Sequence, residues 1–361
     1  MSHSFWKLLT PGHSPAPAAP LPPRLGIRAA GLCCAVGYHL RAASCAMRAN
    51  MDHFQESKFC SQLGDPVLVA RLPETELWGQ ARLARWLEYA IEDCLQHTPD
   101  LKTDDIPLLW IAPEPERNLT GLDWYREIFD QTVAQLGKKF HPQSAVLPQG
   151  RAGLAEALAQ ARHLLDDGSH QYVLLAGVDS YLDAASINHY LRAERLQVPG
   201  NSDGFIPGEA AAAVLLYKAQ PQDGGVHIVG YGQGQEAGQQ DGSVPNRALG
   251  LSQAMRAALA SGSHDYDDLA FRFSDQNGEI FFAREAANAI NRVAAAGSNK
   301  LPLLTSADCL GEIGAATGPA ILASLSQCMP HRAGPGHCGL IHLANDNGLR
   351  CAVVLTYQPP A

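Results

Sequence analysis

The chain has 361 residues, of which 46% are hydrophobic and 17% are charged, and its formal net charge at pH 7 is −9. This balance excludes a wholly disordered chain and favours one large α/β domain or two smaller ones with a substantial core. The 27 lysines and arginines are scattered, which argues against a nucleic-acid partner, and the sequence has no run of 18 apolar residues that could span a membrane.

Before the first predicted strand, residues 1–24 are rich in proline and alanine and predict a solvated, disordered tail. The nine cysteines of the chain form no Cys-x-x-Cys pair. Such spacings predict neither a disulfide framework nor a zinc site, so we expect buried thiols in a reducing, cytoplasmic environment.

From residue 25 onwards, strand-like and helix-like segments alternate. Apolar runs predict strands, and amphipathic or alanine-rich stretches predict helices. In the first half the predicted strands are 25–32, 67–72, 107–113, 144–147, 171–177 and 210–217. The predicted helices there are 121–137, 151–168, and one that begins near Glu76 and includes 88–96.

A polar, glycine-rich segment at 218–225 marks the middle of the chain, and the same rhythm then restarts. The predicted strands of the second half are 226–232, 269–274, 301–306, 339–344 and 350–357, and the predicted helices are 248–262, 279–297 and 314–327. This alternation favours mostly parallel sheets with helices on both faces. Its repetition predicts an internal duplication with one half at 25–220 and the other at 225–361.

Four segments carry a resemblance to a known family: LGIRAAGLCCAVG (25–37), AGVDSYLD (176–183), NSDGFIPGEAAAAVLLY (201–217) and LGEIGAATGPAIL (310–322). Together they resemble the β-ketoacyl-acyl-carrier-protein synthases of the thiolase-like superfamily, and the Asp-Gly-Phe to Gly-Glu-Ala block is the most specific of them. The resemblance extends over about residues 25–357. It implies an α/β, thiolase-like fold, in which a duplicated unit gives five layers in the order α-β-α-β-α.

The resemblance also shows where catalytic residues would lie. In that family a cysteine at a buried helix N-terminus attacks the thioester, while two histidines hold the thioester oxygen and assist decarboxylation. The matching positions here hold Pro148 or Gln149 in place of the cysteine, and Asp275 and Glu312 in place of the histidines. The resemblance therefore implies a protein without the catalytic set, and we expect neither a cofactor nor a bound metal.

Glutamine at the nucleophile position occurs in the family in chain-length-factor subunits and in loading synthases that only decarboxylate malonyl groups. Gln149 is a candidate for such a role, although the decarboxylating members keep both histidines. The alternative interpretation is that Gln149 is a turn residue before a helix.

If the fold holds, four carboxylates approach one another: Asp275, Glu279, Glu312 and Asp308. Such a cluster could bind a divalent cation or perform acid–base chemistry. The alternative is that the pocket has partly filled or opened to water, so that the acids are solvated. In either case acidic groups would repel an anionic thioester substrate.

These positions favour a non-catalytic scaffold or adaptor. The resemblance implies that the strand after the nucleophile helix, here 171–177, lies at a sheet edge and forms a dimer by pairing with a second copy or with a related synthase. Two settings fit. One is a chain-length-factor-like partner of a synthase. The other is an accessory factor of type VI secretion that binds an effector or adaptor, and residues 46–59 weakly resemble such accessory factors. An acyltransferase or hydrolase using Cys309, His331 or His337 is the enzymatic alternative.

Overall fold

The structure is a computed structural model that describes residues 24–74, 76–117 and 122–360. In these ranges strands and helices alternate along the chain. The strands are β1 (Arg24–Cys34), β2 (Phe54–Cys60), β3 (Pro66–Ala70), β4 (Leu108–Ala112), β5 (Ala145–Pro148), β6 (Val173–Ser180), β7 (Glu209–Ala219), β8 (Gly225–Gln235), β9 (Phe271–Ser274), β10 (Leu303–Thr305), β11 (Cys338–Ala344) and β12 (Leu349–Gln358). The helices are α1 (Leu40–Arg48), α2 (Gly79–Leu95), α3 (Leu122–Leu136), α4 (Leu154–Asp166), α5 (Ala184–Arg192), α6 (Leu249–Gly262), α7 (Ile280–Val293), α8 (Ala307–Leu310) and α9 (Thr317–Cys328).

A ten-stranded mixed sheet runs through the molecule in the order β10-β9-β11-β12-β8-β1-β7-β6-β4-β5. It consists of two five-stranded halves with the same internal order and the same parallel and antiparallel pairs, one built from β1 and β4–β7 and the other from β8–β12. The halves join where Leu25 and Gly26 of β1 pair with Ile228 and His227 of β8.

Helices cover the two halves of the sheet on both faces. The largest apolar cluster contains Leu158 of α4 and Ile321 of α9, together with Leu175 from one half-sheet and Val353 from the other. Helices α2 and α3 pack on the outer face of the first half, and α6 and α7 on the outer face of the second. The layers therefore follow the order α-β-α-β-α, and the predicted thiolase-like fold class is confirmed.

The predicted edge strand at 171–177 is not at an edge. Strand β6 lies between β4 and β7, where Leu174 is level with Leu108 on one side and Leu215 on the other. The outer strand of this half is β5, whose sheet neighbour in the described part of the chain is β4. The expectation that 171–177 forms a dimer contact was therefore wrong, because that strand already has two neighbours in its own chain.

Other differences concern short elements. The sequence pattern did not indicate helices α1 and α5 or strand β2. Strand β2 forms a separate two-stranded sheet with β3. Helix α2 begins at Gly79, later than the predicted start near Glu76. The predicted disordered tail lies outside the described residues except for Arg24, which belongs to β1. Among the described helices, none combines the length and apolar character needed to cross a membrane.

Candidate functional site

The position that the resemblance assigns to the nucleophile is a tight turn between β5 and α4. Strand β5 ends at Pro148, and a 3₁₀ turn from Arg151 to Gly153 leads into the helix. Between them Gly150 has φ 61° and ψ −161°, a region that essentially only glycine occupies. A Cβ atom there would lie 2.2 Å from Oε2 of Glu114, so the backbone of the turn lies close to the Glu114 side chain.

Arg151 is the central side chain of the site, and the sequence analysis did not select it. It is 4% exposed, and its guanidinium donates to the carboxylate of Glu312 and lies 3.4 Å, from Nε to Oδ2, from Asp275. The same Nε donates to the carbonyl of Ala344 at 2.6 Å. The two family positions do lie together, and one arginine provides the counter-charge for both.

The two carboxylates also hold backbone groups. Oε1 of Glu312 accepts from the Gly314 amide at 2.9 Å, and Oδ2 of Asp275 accepts from the Ala344 amide at 2.7 Å. Because burial dominates over the attraction of Arg151, the pKa of Asp275 is raised to about 6. The expectation that these acids are solvated was wrong: Asp275 and Glu312 are 8% and 3% exposed, and a guanidinium occupies the place that a cation would take between them.

Asn345 fastens the loop after β11 to the turn before α4. Its Oδ1 accepts from the Ala152 amide at 2.8 Å, and its Nδ2 donates to the carbonyl of Gln149 at 2.6 Å. Gln149 thus contributes its backbone carbonyl to this contact and precedes the helix as part of the turn.

A second arginine, Arg195, forms ion pairs with two further acids, Glu279 and Asp346. Arg195 donates to both carboxylate oxygens of Glu279, at 2.7 and 3.1 Å, and to both of Asp346, at 2.8 and 3.1 Å. Burial opposes ionisation of Asp346, but Arg195 and Arg151 outweigh it, and the pKa of Asp346 falls to about 2. Asp308 does not join this group, since its carboxylate accepts from the hydroxyl of Thr305, the last residue of β10, at 2.5 Å.

A cavity of about 890 Å³ adjoins these ion pairs. Arg117 lies in its wall, donates to the buried carboxylate of Asp179, and has Glu114 3.8 Å from its Nε. Burial raises the pKa of Glu114. Asp346 and Arg195 also line the cavity, so the network around Arg151 forms part of its boundary.

The residues of the enzymatic alternative are far apart along the fold. Cys309 lies in α8, before α9, while His331 lies beyond the end of α9, a helix of twelve residues that spans about 18 Å. Burial raises the pKa of the Cys309 thiol, which disfavours the nucleophilic thiolate. His337 stacks on Tyr357 with ring centroids 5.7 Å apart, near the start of β11.

One signal in the sequence could have identified Arg151. A cation at a helix N-terminus is opposed by the helix dipole, and this one is the only charged residue in the otherwise apolar or polar-neutral stretch from Ser144 to Ala155. Such a residue requires carboxylates from elsewhere in the chain.

Comparisons with known proteins bear on the fold. No protein-family model matches the chain, and a search of curated protein sequences gives no match. Among solved structures, one similar structure is the type II PKS complex AntDE:AntF, in which an acyl-carrier protein binds its ketosynthase with the hexaketide. Its TM-score is 0.76 and its identity is 13%, and the match covers 93% of this chain and 100% of that chain. A ketosynthase from module 6 of the bacillaene synthase of Bacillus subtilis is also similar, with TM-score 0.75 and 14% identity. The match covers 93% of this chain and 72% of that one.

A third similar structure is the ketosynthase ApeO in complex with its chain length factor ApeC from Xenorhabdus doucetiae. Its TM-score is 0.70 and its identity 14%, covering 93% of this chain and 98% of that one. At such identities the likeness concerns the path of the backbone. It agrees with the repeated sheet order and the five layers, and the chain therefore has the thiolase-like fold of the ketosynthases and chain-length factors.

Proposed function

We propose that the chain is a non-condensing, ketosynthase-like subunit that acts by binding other proteins. The observation that supports this proposal is the ion pair of Arg151 with Glu312 and Asp275 beside the N-terminus of α4. A condensing site needs a thiolate there and neutral donors beside it. Here the segment holds no thiol, and buried carboxylates take up the positive charge of the arginine.

The partner that the fold favours is a related synthase chain. Complexes of a ketosynthase with its chain length factor are among the similar structures, which supports a chain-length-factor-like role. The surface we assign to it is the outer edge of β5. Among the described residues this short strand has one sheet neighbour, β4, so its other edge can pair with a strand of another chain. A second copy of this chain could pair in the same way and give a homodimer.

The absence of condensing activity is tested by acylation. The purified protein is incubated with acetyl- and malonyl-coenzyme A and with acylated carrier protein, and the intact mass is followed, with an active ketosynthase as positive control. We expect no adduct, since groups that act together lose about 10³–10⁶ in rate when one is missing. An acyl group mapped to residues 145–152 would contradict the proposal.

The binding role is tested separately, by purification from the native host followed by mass spectrometry and light scattering. A co-purifying synthase supports the chain-length-factor-like role. A co-purifying secretion effector or its adaptor would support the accessory role in type VI secretion, which residues 46–59 suggest by a weak resemblance. A monomer of 38.6 kDa without a partner at micromolar concentration would contradict both.

A further inference from the structure

The cavity described above has the size and lining of a small-molecule site. Its volume of about 890 Å³ falls within the range of roughly 300–1,000 Å³ typical of ligand pockets. The β2–β3 hairpin, the start of α2, helix α3 and the segment around α5 each supply part of the wall. Aromatic and aliphatic side chains provide much of it, namely Phe59, Val69, Trp78, Trp124, Tyr125 and Leu182.

Most of the positive charge around the cavity is already compensated. Nε of Arg82 donates to the fully buried carboxylate of Glu209 at 2.9 Å, and its other nitrogens reach backbone carbonyls. Arg117 is paired with Asp179, and Arg195 is paired with two carboxylates. The charges of these three guanidinium groups are therefore balanced by carboxylates, while Nε of Arg117 is buried without a hydrogen-bond partner among the described residues.

Two other cations that line the cavity, Lys58 and Arg71, lack such compensation. Within the described ranges no carboxylate oxygen lies within 4.0 Å of either. Nε of Arg71 is also buried and has no hydrogen-bond partner among the described residues.

We propose that this cavity binds an amphipathic organic anion, with its headgroup on Arg71 and Lys58 and its apolar body against Trp124 and Tyr125. The headgroup chemistry is that of a carboxylate or a phosphate monoester, both of which accept charge-assisted hydrogen bonds from a guanidinium. The ligand binds as a free anion, without a covalent bond to the protein.

The carboxylates of the lining set the orientation. Besides Glu114 and Asp346, which have arginine partners, Glu116 and Asp183 line the cavity, and neither has a cationic nitrogen within 4.0 Å among the described residues. A headgroup placed beside these two carboxylates would be repelled, whereas the hairpin contributes Lys58 and Arg71.

Binding is measured by isothermal titration with three probes of equal chain length: decanoate, decyl phosphate and decan-1-ol. Quenching or enhancement of tryptophan fluorescence gives a second readout, since Trp78 and Trp124 line the cavity. We expect one site per chain and an affinity for at least one anion at least tenfold higher than that for the alcohol. Preference for decanoate identifies a carboxylate as the better headgroup, and preference for decyl phosphate identifies a phosphate.

Variants then locate the headgroup. Arg71→Met should weaken binding of the preferred anion about tenfold or more, the loss expected for one charge-assisted hydrogen bond, and Arg71→Lys should recover part of it. Lys58→Met changes an exposed residue and serves as a test in which folding is preserved. The matched control is Lys300→Met, an exposed lysine outside the cavity, which should leave affinity unchanged.

Three results would overturn the proposal. The first is equal affinity for the anions and the alcohol. The second is anion binding that neither Arg71→Met nor Lys58→Met weakens relative to Lys300→Met. The third is no binding of any of the three probes to the unmodified protein.

Discussion

Arg151 and Glu312 form an ion pair between the turn that begins α4 and the segment that precedes α9, with side chains only 5% and 3% exposed. One residue belongs to the first half of the chain and the other to the second. The pair therefore connects the two central helices at the end of the molecule where the candidate site lies.

Replacing the arginine should be costly. In Arg151→Met the carboxylates of Glu312 and Asp275 stay buried without their counter-charge, and we expect the free energy of unfolding to fall by about 3–5 kcal/mol. Urea denaturation followed by circular dichroism measures the loss. The control is Arg126→Met, whose partner Asp123 is 89% exposed, and which should cost under about 0.5 kcal/mol. Equal losses in the two variants would contradict the role we assign to Arg151.

Gly150→Ala tests the turn at the nucleophile position. The backbone conformation is one that alanine adopts only with strain, and the added Cβ would displace the buried carboxylate of Glu114. We expect a loss of about 2–4 kcal/mol in the free energy of unfolding. Gly137→Ala has a similar φ of 59° but no atom within 4 Å of the added Cβ, and it should cost about 1 kcal/mol. The difference between the two losses combines the backbone strain at Gly150 with the close approach of Glu114.

The raised pKa of Asp275 predicts that the protein loses stability as the pH rises through the mildly acidic range. Since its pKa is about 6 in the folded chain and 3.8 is the ordinary value, the folded state favours the protonated form. The stabilisation is fully present below about pH 4 and is lost as the pH rises through 6. Between pH 4 and pH 7 the wild type should lose about 2–3 kcal/mol relative to Asp275→Asn, measured by urea denaturation at each pH. Parallel curves for the two proteins would show that the pKa is not raised.

The lowered pKa of Asp346 predicts a loss of stability in the opposite direction, as the pH falls. Its folded pKa of about 2 lies below the ordinary 3.8, so the stabilisation is present above pH 4 and is lost as the pH falls toward 2. The side chain is 29% exposed, and solvent screening reduces the expected effect to about 1–2 kcal/mol. Asp346→Asn should flatten the stability curve in this range. An acid limb as steep in the variant as in the wild type would contradict the prediction.

The alternation of apolar runs and amphipathic stretches predicted layers of sheet and helix, because burial on both faces makes central strands continuously apolar. The thiolase-like fold class itself was predicted from the resemblance of the four segments. The expectation of mostly parallel sheets was wrong, since five of the nine strand pairs in the ten-stranded sheet are antiparallel.

Burial on both faces also bears on the incorrect edge assignment of 171–177. Leu174 and Leu175 are both fully buried in separate apolar clusters on opposite faces of the sheet, which is typical of an interior strand. An uninterrupted run of apolar residues there indicated two sheet neighbours and not an exposed edge.

Elements with few buried side chains escaped prediction. Strand β2, with the sequence FQESKFC, has no fully buried residue, and α1 buries only Leu40, Ala43 and Ser44. The hydrophobic pattern of a sequence depends on which side chains are buried, so the pattern is weak for an element that lies at the surface. The contact between Arg151 and Glu312 escaped for another reason, since it joins residues 161 positions apart and depends on the packing of both halves.

The placement of α4 and α9 between the two half-sheets has a consequence for folding. Their apolar side chains form one cluster with strands from both halves, so a fragment ending near residue 220 would expose the inner face of α4 to water. The repeated topology therefore does not imply two independent folding units. We expect the halves to unfold in a single cooperative transition, and neither half to be stable when expressed alone.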